Sequence, residues 1–287
     1  MREIAQAILS ILDRGERGAI ATVVRTSGST PQRPGARLLL FADGRTLGTV
    51  GGGAVEKAVM DALAACLQNG QPEAMEWDLV RDLGMCCGGR MEVFVEPIEP
   101  KDRLFIFGAG HVAGRTARLA RDLGFAVTVI DEREALNTEE RFPECDRIHE
   151  QPAEATRSLG LTDRDWVLIL THDHRLDEEA LGACLRVPHR YIGLIGSRRK
   201  VFRVLSRIQA KGGLPSLDRV HAPVGIDIGA VTPDEIAVSI VGELVAVRRG
   251  VRTLHLRALD HPLMHKLQQG TALPEDIVSL EQAPSEH

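Results

Sequence analysis

Aromatic residues are scarce, at 3 % of the 287 residues. The core must therefore be built from Ala, Val, Leu and Ile, and a row of stacking platforms for nucleic-acid bases is excluded. Basic charge is not in excess either. The 35 Lys and Arg against 40 Asp and Glu leave a net charge of −5, the opposite sign from a general nucleic-acid binder. No stretch reaches the roughly 20 apolar residues of a spanning helix. The opening MREIAQAILSILDRGERG lacks a long apolar run with a small-residue cleavage site. These absences lead us to expect a cytoplasmic protein with neither membrane nor nucleic acid as partner. Cysteines number five. An odd count in a reducing compartment predicts thiols rather than a disulfide frame.

What is present is ordinary for a folded chain: 44 % apolar and 26 % charged residues, enough for a sizeable core. The length is comfortable for two domains. Ile4, Ala7, Ile8, Ile11 and Leu12 recur on one face of an N-terminal amphipathic helix. Strand patterns follow at 19–26, 37–41, 46–50, 75–80 and 91–96, with a helix over 55–67. This predicts an α+β domain over residues 1–97. The run Glu96-Pro97-Ile98-Glu99-Pro100-Lys101-Asp102 reads as a linker rather than an element interior. Strands at 103–107, 126–130, 166–171 and 191–195 then alternate with helices. That alternation predicts a Rossmann-like, doubly wound parallel sheet over 98–250. Thr232-Pro233-Asp234-Glu235 opens its last helix with an N-cap, a proline and a capping-box Glu. Residues 251–287 read as a polar C-terminal tail.

Several motifs carry chemistry. Gly108-Ala109-Gly110-His111-Val112-Ala113 follows a strand and opens a helix, a dinucleotide-type turn. Gly110 lets backbone approach a phosphate, and the helix start offers free N–H groups to an anion; His111 adds bulk beside it. Asp131, at the end of the next strand, stands where a ribose hydroxyl would be held. Thr171-His172-Asp173-His174, with Asp177 beyond, forms a ligand-facing loop. Its His172, His174 and Asp177 also have the chemistry of metal ligands. Gly196-Ser197-Arg198-Arg199-Lys200 suits a phosphate group or a solvated charge run. In the first domain, Leu83-Gly84-Met85-Cys86-Cys87-Gly88-Gly89 sets adjacent thiols beside glycines. Thiolate is a soft metal ligand; two small buried hydrophobes is the plain alternative. Cys66, Cys145 and Cys184 read as core residues. Gly51-Gly52-Gly53 breaks a strand and opens a helix bearing Glu56, which either binds a pterin or purine edge or complements the helix dipole. Arg25-Thr26-Ser27-Gly28-Ser29-Thr30-Pro31 is another small-residue loop, with Gly35 just beyond.

Together with Tyr191-Ile192-Gly193-Leu194-Ile195 and Gly225-Ile226-Asp227-Ile228-Gly229-Ala230, these motifs resemble the XdhC/CoxI family over about residues 5–248. Members are accessory proteins of xanthine dehydrogenase and related molybdenum hydroxylases. The resemblance implies a carrier. It would bind molybdenum cofactor in its molybdopterin form, hold it while a cysteine desulfurase supplies the terminal sulfur, and assist insertion into apo xanthine dehydrogenase. It implies cofactor contacts at Gly51, Gly52, Gly53, Glu56, Gly108, Gly110, His111, Asp131, His172, His174, Ser197, Arg198 and Asp227, with Cys86 and Cys87 toward the molybdenum. A nucleotide at the Rossmann site and a homodimer are further expectations. The competing reading is an NAD(P)-dependent oxidoreductase, for which the Rossmann turn and Asp131 speak. Tyr191 is the lone tyrosine, and no catalytic tyrosine–lysine pair is evident. No nucleophile is joined to a base and an orienting carboxylate, so no catalysis of its own is expected.

Overall fold

The computed structural model describes residues 1–86 and 88–251; Cys87 and the expected polar tail beyond Val251 lie outside them. The chain divides into two compact units, the first ending at Lys101 and the second beginning at Asp102.

The first unit runs α1 (Arg2–Asp13), β1 (Gly18–Ser27), β2 (Arg37–Phe41), β3 (Thr46–Gly48), α2 (Gly53–Asn69), β4 (Glu73–Asp78) and β5 (Arg90–Ile98). Its five strands form an antiparallel sheet ordered β3-β2-β1-β5-β4. Side chains alternate across a strand, so β1 feeds two cores. Ala19, Ala21 and Val23 meet Val55, Val59, Leu63 and Cys66 of α2. Ile20 joins Leu39 and Ile98 under Ile4 and Ile11 of α1. Truncating the fully buried Leu63 to Ala should cost about 2–5 kcal/mol. The proline-rich seam is not all linker: Glu96, Pro97 and Ile98 complete β5. Pairing with β4 ends at Val95, while β1 continues alongside to Ile98. Pro97 therefore sits where the strand has one neighbour, a place that tolerates a missing N–H.

The second unit runs β6 (Arg103–Phe107), α3 (His111–Asp122), β7 (Ala126–Ile130), β8 (Asp146–Ile148), α4 (Pro152–Ser158), β9 (Trp166–Ile169), α5 (His174–Cys184), β10 (Tyr191–Leu194), α6 (Arg198–Gly212), β11 (Val220–His221) and α7 (Pro233–Arg249). Six parallel strands are ordered β11-β10-β9-β6-β7-β8. Counted from β6 this is the 6-5-4-1-2-3 order of a Rossmann sheet. Small residues of α3 (Ala113, Ala117, Ala120) and Ile240 and Leu244 of α7 cover one face. Ala155 of α4, Leu181 of α5 and Val204 of α6 cover the other. The expected capping box forms: the Thr232 hydroxyl accepts the Glu235 N–H, and Glu235 reaches back to the Thr232 N–H.

Candidate functional site

In the first unit, three loops that are far apart in sequence pack against one another. Gly89 is buried against the loop that follows β1. A Cβ on Gly89 would stand 2.5 Å from Ser29 O and 2.6 Å from Ser27 O. One on Gly28 would stand 3.0 Å from Gly88 O. Gly51, at φ +135°, closes on Pro31, whose Cγ would lie 2.8 Å from an added Cβ. The Ser27–Pro31 loop thus packs on Gly88 and Gly89 by backbone close approach and on Gly51 through the Pro31 ring, contacts that only glycine allows. Three residues before Gly89, Cys86 is exposed and free of any disulfide. α2 starts at an N-cap glycine, Gly52, with no side chain satisfying its first N–H groups, and the space over Gly52 and Gly53 is open. Those N–H groups and the dipole end suit an oxyanion. Thr49 Oγ1 accepts the Gly51 N–H at 3.1 Å and also bonds the Glu56 carboxylate. Glu56 is therefore tied to the same loop.

In the second unit the carboxyl ends of the strands line one edge, where such sheets bind ligands. Gly108, at φ +110°, follows β6. A Cβ there would lie 2.5 Å from Leu170 O, so the turn presses on the end of β9. Gly110 caps α3 with no side-chain bond, and a Cβ on it would meet nothing within 4 Å. The start of α3 thus has no side-chain cap, and His111, its first residue, is exposed. Gly108, Asp131, Glu132, Thr171 and His172 line one narrow cleft.

Asp131 is buried, and its acceptors are taken. Oδ2 accepts the Ala109 N–H at 2.7 Å and Arg133 Nη2 at 2.6 Å; Oδ1 accepts the Arg133 N–H at 3.0 Å and its Nε at 2.8 Å. Burial opposes its charge, but the Arg133 guanidinium and the two backbone N–H groups outweigh that and hold the carboxyl below its ordinary value. The residue expected to hold a ribose hydroxyl thus anchors the glycine turn. Arg133 was not singled out in the sequence, although a cation two residues after a strand-end Asp is the signal.

The loop after β9 is organised by carboxylates, not by its histidines. Asp173 is the N-cap of α5 and accepts the Arg175 N–H at 2.6 Å. Asp177, fully buried, accepts the Thr171 hydroxyl at 2.7 Å and pairs with Lys200 Nζ of α6 at 2.5 Å. His172 and His174 are exposed, with His174 Nδ1 3.9 Å from Asp177. No group of three His, Cys, Asp or Glu able to hold a metal occurs among the described residues. The Lys200 stem lies where a side chain on Gly196 would be, 2.4 Å from its Cβ position. Ser197 caps α6, whose first turn holds no acid. Arg198 and Arg199 therefore stand exposed at its positive end, a repulsive placement that a bound anion relieves.

Beyond β11, the 225–229 loop is stapled to α7. Glu243 Oε2 accepts the Gly225 N–H at 3.1 Å, and its Oε1 bonds the Tyr191 hydroxyl and lies 3.1 Å from His221 Nδ1. The Ser239 hydroxyl donates to Ile226 O at 2.6 Å. Burial works against Glu243's charge, but His221, Tyr191 and the Gly225 N–H together lower its pKa. The Tyr191 hydroxyl is pushed well above its usual range by burial and then by Glu243. A phenol so held is a structural donor. The loop leaves Asp227 exposed at the edge. Glu243 and Ser239 were missed in the sequence; a lone acid in the apolar run 236–247 was the available signal.

The chain thus pairs a unit bearing glycine- and thiol-containing loops with a Rossmann sheet that carries a glycine turn. Residues 11–78 match the XdhC and CoxI family and residues 104–244 match the XdhC Rossmann domain, so the chain belongs to the XdhC/CoxI family. It is 38 % identical over 256 residues to the protein YqeB of Escherichia coli (strain K12), covering 87 % of this chain and 47 % of YqeB; it thus spans about half of that relative. It is 26 % identical to a probable xanthine dehydrogenase subunit of Bacillus subtilis (strain 168), over 84 % of this chain and 96 % of that protein. With the molybdenum cofactor insertion chaperone PaoD of Escherichia coli the identity is 22 %, over 86 % and 88 %. A solved structure described as a xanthine dehydrogenase from Bacillus halodurans superposes with a TM-score of 0.50 at 23 % identity, covering 91 % of this chain and 98 % of that one. It bears on the fold alone. No helix among the described residues is long and apolar enough to cross a membrane.

Proposed function

We propose that this chain is a molybdenum-cofactor carrier serving xanthine dehydrogenase maturation. It holds the cofactor for sulfuration by a cysteine desulfurase, assists its insertion into the apo-enzyme, and works as a homodimer. The observation that carries this reading is the loop cluster of the first unit. An exposed thiol, Cys86, lies just before Gly88 and Gly89, which pack on the Ser27–Pro31 loop; Pro31 of that loop meets Gly51, just ahead of the uncapped start of α2. The donor set fits the group: a soft sulfur for a molybdenum–dithiolene centre, free N–H groups for an oxyanion, and Glu56 for the pterin edge. Cys86 and Cys87 would hold the metal, and Gly51, Gly52 and Gly53 would supply backbone donors. The bound group brings the redox-active metal and its terminal ligand, and the chain's own residues bind and orient it. On the Rossmann edge, the same reading gives Gly108, Gly110, His111, His172, His174, Ser197, Arg198 and Asp227 to an anionic, phosphate-bearing group. Asp131 serves there by holding the turn. The names of the Bacillus subtilis and PaoD relatives support the role.

The test is molybdenum and pterin content of protein purified from a molybdenum-replete host, for the native chain and for Cys86→Ser with Cys87→Ser. Copurifying molybdenum with pterin, lost in the folded double variant, supports the carrier. Absence of both overturns it. Added with cofactor to inactive apo xanthine dehydrogenase, the protein should raise activity to a plateau near stoichiometric amounts. Sustained NAD(P)H oxidation by the protein alone would support the oxidoreductase instead.

A further inference from the structure

The first unit carries a second recess, on the sheet face opposite α2. α1 covers only part of this face, leaving a groove of about 360 Å³ beside it. Part of its lining is apolar, Ile8 and Leu12 from α1, Ile20 from β1 and Ile98 from β5, and the rest is polar. Two opposite charges line it, Arg37 on β2 and Glu96 on β5. Glu99 also lines it but is paired with Arg17. Arg37 and Glu96 form no ion pair with each other or with any other described residue. Arg37 Nε is buried without an acceptor. One terminal nitrogen has only Met1 Sδ, at 3.3 Å, and a thioether is a weak acceptor.

The Arg37 guanidinium thus has no carboxylate partner among the described residues to meet its charge. The sheet register fixes the span between the charges. Arg37 pairs with Thr22 and Glu96 with Ile20, so the two residues flank β1 from opposite sides, two positions apart. At strand spacings of about 4.8 Å and rises of about 3.4 Å, their Cα atoms are about 12 Å apart. Two long side chains reaching inward across that span leave room for one small molecule between them. The arrangement is a cation and an anion on either side of an apolar floor.

We infer that this groove binds a free α-amino acid with an apolar side chain. The ligand carboxylate meets Arg37, its ammonium meets Glu96, and its side chain packs on Ile8, Leu12, Ile20 and Ile98. A single fork-shaped guanidinium matches a carboxylate bidentately, and the aliphatic floor favours leucine-like chains over polar ones.

The test is calorimetric titration of the full chain with L-leucine. Saturation with a Kd in the low millimolar range is expected for so open a site, about 1–10 mM. The single-charge analogues 4-methylpentanoate and 3-methylbutylamine should each bind at least about tenfold more weakly. Arg37→Met and Glu96→Gln should each weaken leucine by about tenfold without lowering the thermal midpoint. Failure of L-leucine to saturate by about 50 mM overturns the site. So does an analogue binding as well as leucine, or wild-type affinity in both variants. If Arg37→Met does not fold, Glu96→Gln and the analogue pair decide the question alone. The molybdenum content of these proteins is a separate readout, so failure here leaves the carrier reading standing.

Discussion

The loop cluster of the first unit and the strand-end edge of the second are built by opposite means. The first is held by close packing on glycine: Gly28 and Gly89 admit backbone, and Gly51 the Pro31 ring, where any side chain would block them. Its chemistry, Cys86 and the start of α2, lies at the surface. The second is held by buried charge, with Asp131 on Arg133, Asp177 on Lys200, and Glu243 on Tyr191, His221 and the Gly225 loop. Close packing fixes shape and leaves the surface groups exposed. Buried ion pairs fix shape only while each partner keeps its charge. The two regions should therefore break differently.

The largest effect is expected at Gly108. Gly108→Val puts a branched side chain at φ +110° against Leu170 O. Strain and overpacking together should cost about 3–5 kcal/mol in urea unfolding. Gly110→Val, two residues on, faces open space at φ −75°. It should cost about 1 kcal/mol or less while abolishing anion binding at the turn. Equal destabilisation by the two would show that the turn does not lean on β9.

Next is the buried pair. Asp177→Asn or Lys200→Met alone leaves one charge without its partner and should cost about 3 kcal/mol. The double variant should recover much of that, since two neutral groups remove the stranded charge. Losses that simply add in the double-mutant cycle would mean the pair does not couple the loops after β9 and β10.

Acid separates the regions more gently. Asp131 and Glu243 both have pKa values lowered by folding. Their stabilisation is present in full above the unfolded values of about 3.9 and 4.3. It is lost as pH falls through the lower, folded values. Urea stability of the native chain should therefore fall more steeply below about pH 4 than that of an Asp131→Asn, Glu243→Gln variant. Parallel pH profiles would remove the charge networks from the stability account.

The smallest structural effect is expected at Cys86. Cys86→Ser changes one exposed atom and should shift stability by less than about 0.5 kcal/mol. Molybdenum retention should nevertheless drop several-fold. A large stability loss would mean that the thiol is a packing group and the cluster less open than its geometry indicates.

Much of the architecture was legible from local pattern. The strands at 37–41, 103–107 and 126–130 coincide with those observed, because turn residues bound their apolar runs. The glycine turn, the Thr232 capping box and α2 were readable for the same reason. β8 and β11 were not, since three and two residues carry no period. The seam misled because Pro97 signals a break wherever it stands. Only the sheet shows that this stretch of β5 has a single neighbour.

The sequence by itself determined the two-part plan, the Rossmann alternation and the separate motifs, since propensity, period and turn chemistry act over a few residues. Tertiary structure alone decided which motifs meet. It packed the Ser27–Pro31 loop on Gly51 and on Gly88 and Gly89, turned Asp131 inward onto Arg133, and paired Asp177 with Lys200. Those outcomes depend on strand order and on burial, which set where an acceptor finds its donor. Neither quantity is written in residue spacing along the chain.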